Sequence, residues 1–361
     1  MTDSSNFKFT NSQFIFLVLG YSIIVNILKL PVIMASFALQ DAWISMLIAG
    51  IYPISLFFFY YPVYKKNPDK NIFQINKEVL GKTFGTLFNV IFYLYILSYA
   101  TTQVAGFSMI FADTLFWYYN STKVLLLLLF VAFLGLLFKF KAMVKFTQFS
   151  LTIVFVIFFI ILFGFFRGSL SNITPIFQIE PKYILKGAYY GSYAYSGFEI
   201  FLIYIPFLKN AKDYKKISIS ISLVLIIFFT YLVFMNLFFL GPDVITVFYY
   251  PLLNILSSVK IPFLNNLVFI FLSSWAFHCI RNTTFSIYNL TYCLNTKRDL
   301  DKINPIKSII ICIILFFGSY IINDILTITF FIDRFLVPLT TFVVFNVFIL
   351  FLLSKRRKTN A

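Results

Sequence analysis

Long apolar runs, each near the length of a bilayer crossing and separated by short polar stretches, dominate the chain. Taking about 20 apolar residues per crossing, the pattern predicts ten helices near 13–37, 42–64, 83–112, 122–138, 144–166, 185–208, 216–240, 265–292, 305–323 and 334–353. The expected fold is all-α and integral to a membrane, one transmembrane domain over 1–361. Two loops carry patterns of their own. Ile72, Phe73, Ile75, Val79 and Leu80 recur at helical spacing among lysines, which predicts an amphipathic helix at the cytoplasmic interface. The stretch 243–264, between Pro242 and Pro262, is read as an external cap.

Two of the ten runs are interrupted by residues that break helices. In the sixth, Gly191-Ser-Tyr-Ala-Tyr-Ser-Gly-Phe-Glu199 holds two glycines, two serines and a carboxylate before the apolar run to Pro206. Irregular backbone inside a membrane is tolerated only where it is buried in protein or lines a cavity, so a discontinuous helix marks a binding site. Ser196 and Glu199 have the spacing of a capping box, which predicts that a second half-helix restarts near Gly197. In the first run Pro31 removes a backbone donor, and Asn26 is a good N-cap for a restart there.

Polar residues cluster on these and two further helices. Ser22, Asn26 and Lys29 follow i, i+4, i+7 spacing on helix one, as do Ser274, His278 and Arg281 on helix eight; Tyr95, Tyr99, Thr102 and Gly106 stripe helix three. Ionisable groups inside spans cost about 2.5–3.5 kcal/mol each on insertion scales, so Lys29, Glu199, His278 and Arg281 read as functional. The candidate ligand-binding residues are Ser22, Asn26, Lys29, Tyr99, Thr102, Tyr195, Ser196, Gly197, Glu199, His278 and Arg281. Lys29, opposed by the dipole of a restarted half-helix, calls for an anion, and Glu199 or a ligand carboxylate supplies it. The two are expected to lie close together and to bind the charged ends of a zwitterionic nutrient. Structural alternatives stand beside these readings: Glu199 as a capping residue, His278 as a satisfied interior histidine, Lys29 as a snorkelling cation, and the tyrosines as packing.

Composition narrows the classes. The 361 residues are 60% hydrophobic and 12% charged, well outside the range of soluble domains. A net charge of +16 suggests nucleic acid until the spans are placed, after which no basic face is free for it. Lys and Arg then divide 21 to 6 between alternate sides, which sets both termini in the cytoplasm. Cys279, Cys293 and Cys312 have no paired spacing, so neither a metal site nor a disulfide framework is expected. The first apolar run lacks a small-residue cleavage site and is read as a retained helix. His278 alone offers a catalytic base, without a carboxylate at helical spacing, so the chain is not read as an enzyme and no cofactor is expected. No cluster of Ser, Thr and carboxylate identifies an ion site.

Helices one and six hold corresponding places if the chain is two inverted five-helix repeats, about 13–166 and 185–353. Tyr193-Ala-Tyr-Ser-Gly-Phe-Glu199, with the apolar run to Pro206 and then Lys209-Asn210, resembles the sixth helix of the endospore germination permeases. These are the B subunits of nutrient germinant receptors, within the amino acid–polyamine–organocation transporter superfamily. Gly20 to Pro31 and the ten-helix length agree. The resemblance implies a leucine-transporter-like fold with helices 1 and 6 broken, and a nutrient such as an amino acid bound between helices one, three, six and eight. It also implies A and C subunits as partners in the spore inner membrane. An amino acid permease of the cytoplasmic membrane is the alternative. The chain differs from amino acid transporters of the superfamily at Ile24 and Asn26, where glycines are usual, and Lys29 is read as the replacement anchor for an anion.

The charge division has a direct test. With the native cysteines removed, Ser171→Cys should react with an impermeant thiol reagent outside intact cells and Ser354→Cys should not. The reverse pattern overturns the topology.

Overall fold

Hydrocarbon offers a backbone no hydrogen-bond partner, so a chain of this composition must satisfy its amides within helices or against its own side chains. The computed structural model describes residues 7–23, 26–160, 168–258, 267–295 and 300–356. The first run forms α1 (Asn11–Ser22) and α2 (Asn26–Ala38); the second forms α3 (Ala42–Ala49) and α4 (Ile51–Lys66), joined at Gly50. Then come α5 (Ile72–Val79), α6 (Gly81–Thr114), α7 (Ser121–Gly135) and α8 (Phe140–Ile160). The later part holds α9 (Pro181–Gly191), α10 (Phe201–Tyr204), α11 (Tyr214–Leu240), α12 (Pro242–Ile245) and α13 (Pro251–Ser258). It closes with α14 (Leu267–Cys293), α15 (Pro305–Ile321), α16 (Ile325–Phe331) and α17 (Val337–Arg356).

Among the described residues there is no strand, only an isolated parallel bridge between Phe9 and Leu208. Among the described residues, four helical stretches are long and apolar enough to cross a membrane: Ile27–Lys66, Gly81–Thr114, Ala211–Leu240 and Ile325–Lys355. Ser121–Gly135, Phe198–Phe207 and Pro305–Ile321 are shorter apolar helices. Large apolar side chains stand exposed along the outer helices, among them Phe84, Leu126, Phe130, Ile313, Phe317 and Phe345. On a soluble protein so much apolar surface is an aggregation hazard, whereas lipid covers it without penalty.

The bridge ties the start of the chain to the end of the interrupted segment. The Phe9 N–H donates to the Phe207 carbonyl at 2.8 Å and the Lys209 N–H to the Phe9 carbonyl at 3.0 Å. Lys8 Nζ reaches the Pro206 carbonyl at 3.0 Å, and Asn11 Nδ2 reaches Asp213 at 2.7 Å. Thr10 and Gln13 then form a reciprocal capping box that opens α1. The two interrupted runs are thus pinned together at one end, with α6 and α14 packed beside them.

Several expected boundaries shift, each for a local reason. The tenth run begins at Ile325, not near 334, because Asp324 caps the helix by accepting from the Leu326 and Thr327 N–H groups at 2.9 and 3.0 Å. The Thr327 hydroxyl, with the Thr327 and Leu326 amides, holds the Asp324 carboxyl below the usual carboxylate range. Asp333 and Arg334 lie in a π-helical stretch over Ile332–Leu336. α2 begins at Asn26, whose side chain, read as an N-cap, lies outside what the structure describes. The stretch read as an external cap holds α12 and α13; its residues 259–264, with Lys260 and Pro262, lie outside the described residues, as do Ile24, Arg167 and residues 161–166, where the first repeat is expected to end.

The amphipathic piece is α5, opened by a capping box between Asn71 and Gln74. Its Ile72 and Ile75 are buried against α6, and Asn76 Nδ2 donates to Asn89 Oδ1 at 2.9 Å. Gly85 makes this contact possible, since a Cβ there would meet the Asn76 carbonyl oxygen at 2.5 Å and Lys77 Cα at 2.6 Å. Both are backbone atoms and cannot swing aside. Gly85→Ala should therefore lever α5 away from α6 and cost about 1–3 kcal/mol, read as a lowered thermal midpoint in detergent. An unchanged midpoint would show that the helices are not held this close.

Candidate functional site

At the first break the end of α1 leaves carbonyls without helical partners. The Ile23 N–H closes the last turn onto the Leu19 carbonyl at 2.9 Å. Side chains from two other helices meet the rest. Arg281 Nη2 donates to the Gly20 carbonyl at 2.5 Å, and the Tyr99 hydroxyl donates to the Tyr21 carbonyl at 2.5 Å. His278 Nε2 lies 2.6 Å from the Ile23 carbonyl. A carbonyl only accepts, so this contact puts the imidazole proton on Nε2; Arg281 Nη2 stands 3.1 Å from Nε2 and 3.2 Å from Nδ1, against the ring as a whole. The guanidinium also sits at the negative end of the α1 dipole, where a cation is stabilised. Gly20 leaves it room, since a Cβ there would stand 2.6 Å from Thr147 Cγ2 and 3.2 Å from Arg281 Nη1.

At the second break α9 gives way to a 3-10 turn over Ser192–Tyr195, an extended Ser196, and Gly197 at φ +103°. The next 3-10 turn, Phe198–Ile200, leads into α10. Only glycine adopts that φ readily, and a Cβ would lie 2.3 Å from the Tyr99 hydroxyl oxygen and 2.9 Å from the Tyr21 carbonyl. Gly197 is thus the point where the two breaks and α6 touch. Glu199 is fully buried beside it. Its Oε2 accepts from the Gly197 N–H at 2.7 Å and from the Tyr95 hydroxyl at 2.6 Å, and its Oε1 accepts from the Tyr52 hydroxyl. The Tyr95 oxygen in turn accepts from the Gly197 N–H at 3.0 Å.

Two expectations about this segment need correction. Ser196 and Glu199 form no capping box: the left-handed turn at Gly197 swings that residue's own N–H onto the carboxylate, one position later than the spacing implied. The Ser196 hydroxyl is left buried without a hydrogen-bond partner among the described residues. Nor do Lys29 and Glu199 pair. Lys29 lies on α2 with Nζ donating to Thr329 Oγ1 on α16 at 2.9 Å, and Asp333 is the acid within electrostatic reach. Glu199 has its oxygens taken by tyrosine hydroxyls and a backbone amide, so it has no need of an ammonium.

Of the other candidates, Ser22 and Thr102 turn back onto their own helices, to the Val18 carbonyl at 2.9 Å and the Tyr99 carbonyl at 2.8 Å. Tyr195 reaches the Met46 carbonyl on α3 at 3.0 Å. Asn26 stands at the start of α2. The structure therefore brings Tyr99, Gly197, Glu199, His278 and Arg281 to the breaks and sends Lys29, Thr102 and Tyr195 elsewhere.

Tyr52, Tyr21, Gln103 and Asn282 were not among the candidates. Tyr21 bonds Ser286 at 3.1 Å, and Tyr204 bonds Asn289 at 2.5 Å. The α14 stripe through His278 thus runs on as Asn282, Ser286 and Asn289 at helical spacing, a signal present in the sequence. Gln103, one turn beyond Tyr99, and Asn282 are both buried with side-chain amides unpartnered among the described residues. Nothing in the sequence marks Tyr52 off from the many other tyrosines. No group of three or more metal-ligating side chains occurs among the described residues. What the arrangement offers a ligand is hydrogen-bonding: neutral amides, hydroxyls and unwound backbone. A cavity of about 580 Å³ between α5, α6 and the end of α14 reaches Ile203 on α10.

Double-mutant cycles test the geometry. Tyr95→Phe and Glu199→Gln should couple by about 0.5–3 kcal/mol, because they share one hydrogen-bond network. Lys29→Met and Glu199→Gln should add within about 0.5 kcal/mol, because they share no partner. Thermal or denaturant unfolding in detergent reads both; coupling in the second cycle and none in the first would overturn the assignment.

Known proteins similar to this chain agree with the setting. A solved structure of a substrate-bound, outward-open Na+-coupled sialic acid symporter superposes with a TM-score of 0.56, covering 92% of this chain and 79% of its own, at 12% identity. That likeness is one of fold. In sequence, the chain is 26% identical over 309 residues to spore germination protein GerQB of Bacillus cereus, covering 84% of each. It is 26% identical over 221 residues to spore germination protein B2 of Bacillus subtilis (strain 168), covering 59% of this chain and 58% of that one. Spore germination protein YndE of the same strain is 21% identical over 257 residues, 71% of each chain. With residues 8–325 matching the spore permease family of spore germination proteins, a buried pair of helix breaks and a transporter-like fold, this chain is a multi-pass membrane protein that belongs to that family.

Proposed function

We propose that the protein is the membrane-embedded nutrient-binding subunit of a spore germinant receptor, and that binding of a small nutrient, an amino acid in the first instance, triggers germination. The observation that carries this reading is the meeting of both breaks at Gly197, where unwound backbone and buried polar side chains share one place in an apolar interior. Ser196, Gln103 and Asn282 hold hydroxyl and amide groups ready for a ligand. Tyr99, Glu199, His278 and Arg281 fix the backbone around them.

In this reading the ten apolar runs form two inverted five-helix repeats, about 13–166 and 185–353, with both termini cytoplasmic in the spore inner membrane. A and C subunits of the receptor are its partners. Family membership and the transporter-like fold support a permease-like germination protein and disfavour an enzyme. The same fold favours a second reading, an amino acid permease, because a symporter shares it.

Purified protein in sealed vesicles separates the two. Radiolabelled amino acids should bind saturably without accumulating inside. Accumulation would replace the receptor reading with the permease, and neither binding nor uptake of any amino acid would sink both.

A further inference from the structure

Arg281 is 3% exposed, and no carboxylate forms an ion pair with it among the described residues. A buried guanidinium without an anion is expensive, so something else must balance it. Its neighbours at hydrogen-bond distance are the Gly20 carbonyl and the His278 ring, while Nε and Nη1 have no partner among the described residues. The balancing charge is therefore partial and comes from the carbonyl end of α1. That end has the chemistry of a cation site: in broken-helix transporters, unwound carbonyls and the C-terminal ends of half-helices hold the coupling Na+ or H+.

We propose that Arg281 is a tethered cation, which fills the carbonyl-lined position at the end of α1 with a guanidinium and frees the protein from any dissolved monovalent cation there. Three features of the surroundings suit this role. Gly20 lacks the Cβ that would crowd Nη1. His278 holds the neighbouring Ile23 carbonyl while its ring packs against the guanidinium, so it braces the cation without competing for Gly20. Tyr99 occupies the intervening Tyr21 carbonyl. With the carbonyls of Gly20, Tyr21 and Ile23 each met by a side chain, little is left to coordinate an ion from solution.

The inference deepens the reading of α1 and 191–207 as the paired breaks of a ligand site, and it assigns Arg281 to the break and not to the ligand. It predicts that the folded state is indifferent to Na+. Thermal unfolding of the purified protein in detergent, at equal ionic strength in sodium, potassium or choline chloride, should give one midpoint. Arg281→Ala should lower that midpoint by several degrees, and millimolar guanidinium, Na+ or K+ should restore it saturably by filling the vacated position. Arg281→Lys, which keeps a tethered charge, should lie closer to the wild type and gain nothing from added cation.

A wild type stabilised selectively and saturably by Na+ would overturn the proposal, as would an Arg281→Ala protein that no cation restores. If Arg281→Ala does not accumulate, Arg281→Lys decides: damage equal to that of Arg281→Gln shows that charge at this position is not the point. The readout uses salts alone. Failure to bind any amino acid would therefore remove the receptor reading and leave this one standing.

Discussion

Backbone carbonyls and amides released by a broken helix cannot be left bare in an apolar interior, and the centre of this protein is arranged around that constraint. Each unmet group would cost about 1–3 kcal/mol by mutational measure. Here the carbonyls of Gly20, Tyr21 and Ile23 are met by Arg281, Tyr99 and His278, and the Gly197 amide by Glu199 and Tyr95. The four ionisable residues that stand out in the spans therefore divide. Three serve broken backbone; Lys29 bonds Thr329 on a different helix.

Close approach is the second requirement, and glycine supplies it where it is needed. At Gly197 the backbone turns left-handed within contact of both Tyr99 and the Tyr21 carbonyl. At Gly20 the absent Cβ admits the guanidinium. The breaks can share one site only because two helices come nearer to each other than side chains would allow. The contacts at the other end, from Phe9 to Phe207 and from Lys8 to Pro206, fix the register of that approach.

Glu199 is a fully buried carboxylate with a structural task where the two breaks meet. It holds the left-handed turn from inside through the Gly197 amide, and it fixes Tyr95 and Tyr52 from α6 and α4. A ligand that displaced either tyrosine would loosen the turn itself.

The sequence by itself determined the class of the molecule, because apolar length and the division of Lys and Arg are properties of the chain that no packing can alter. It also marked both interrupted runs, through Gly197 and the mid-run carboxylate Glu199 in one and the polar Ser22 and Asn26 in the other, although Pro31 lies inside α2, beyond the first break. The stripe from His278 to Asn289 was legible as well, as spacing along one helix. Pairing was not legible. Lys29 and Glu199 are opposite charges near two breaks, yet which partner each takes depends on the direction α2 and Gly197 send them, and periodicity within one element does not contain the angle between two. The capping box failed for the same reason: a left-handed glycine moved the amide that the carboxylate reaches. Only the tertiary structure decided that Arg281 answers a carbonyl and not an acid, and that Tyr52, one tyrosine among 23, stands at the centre.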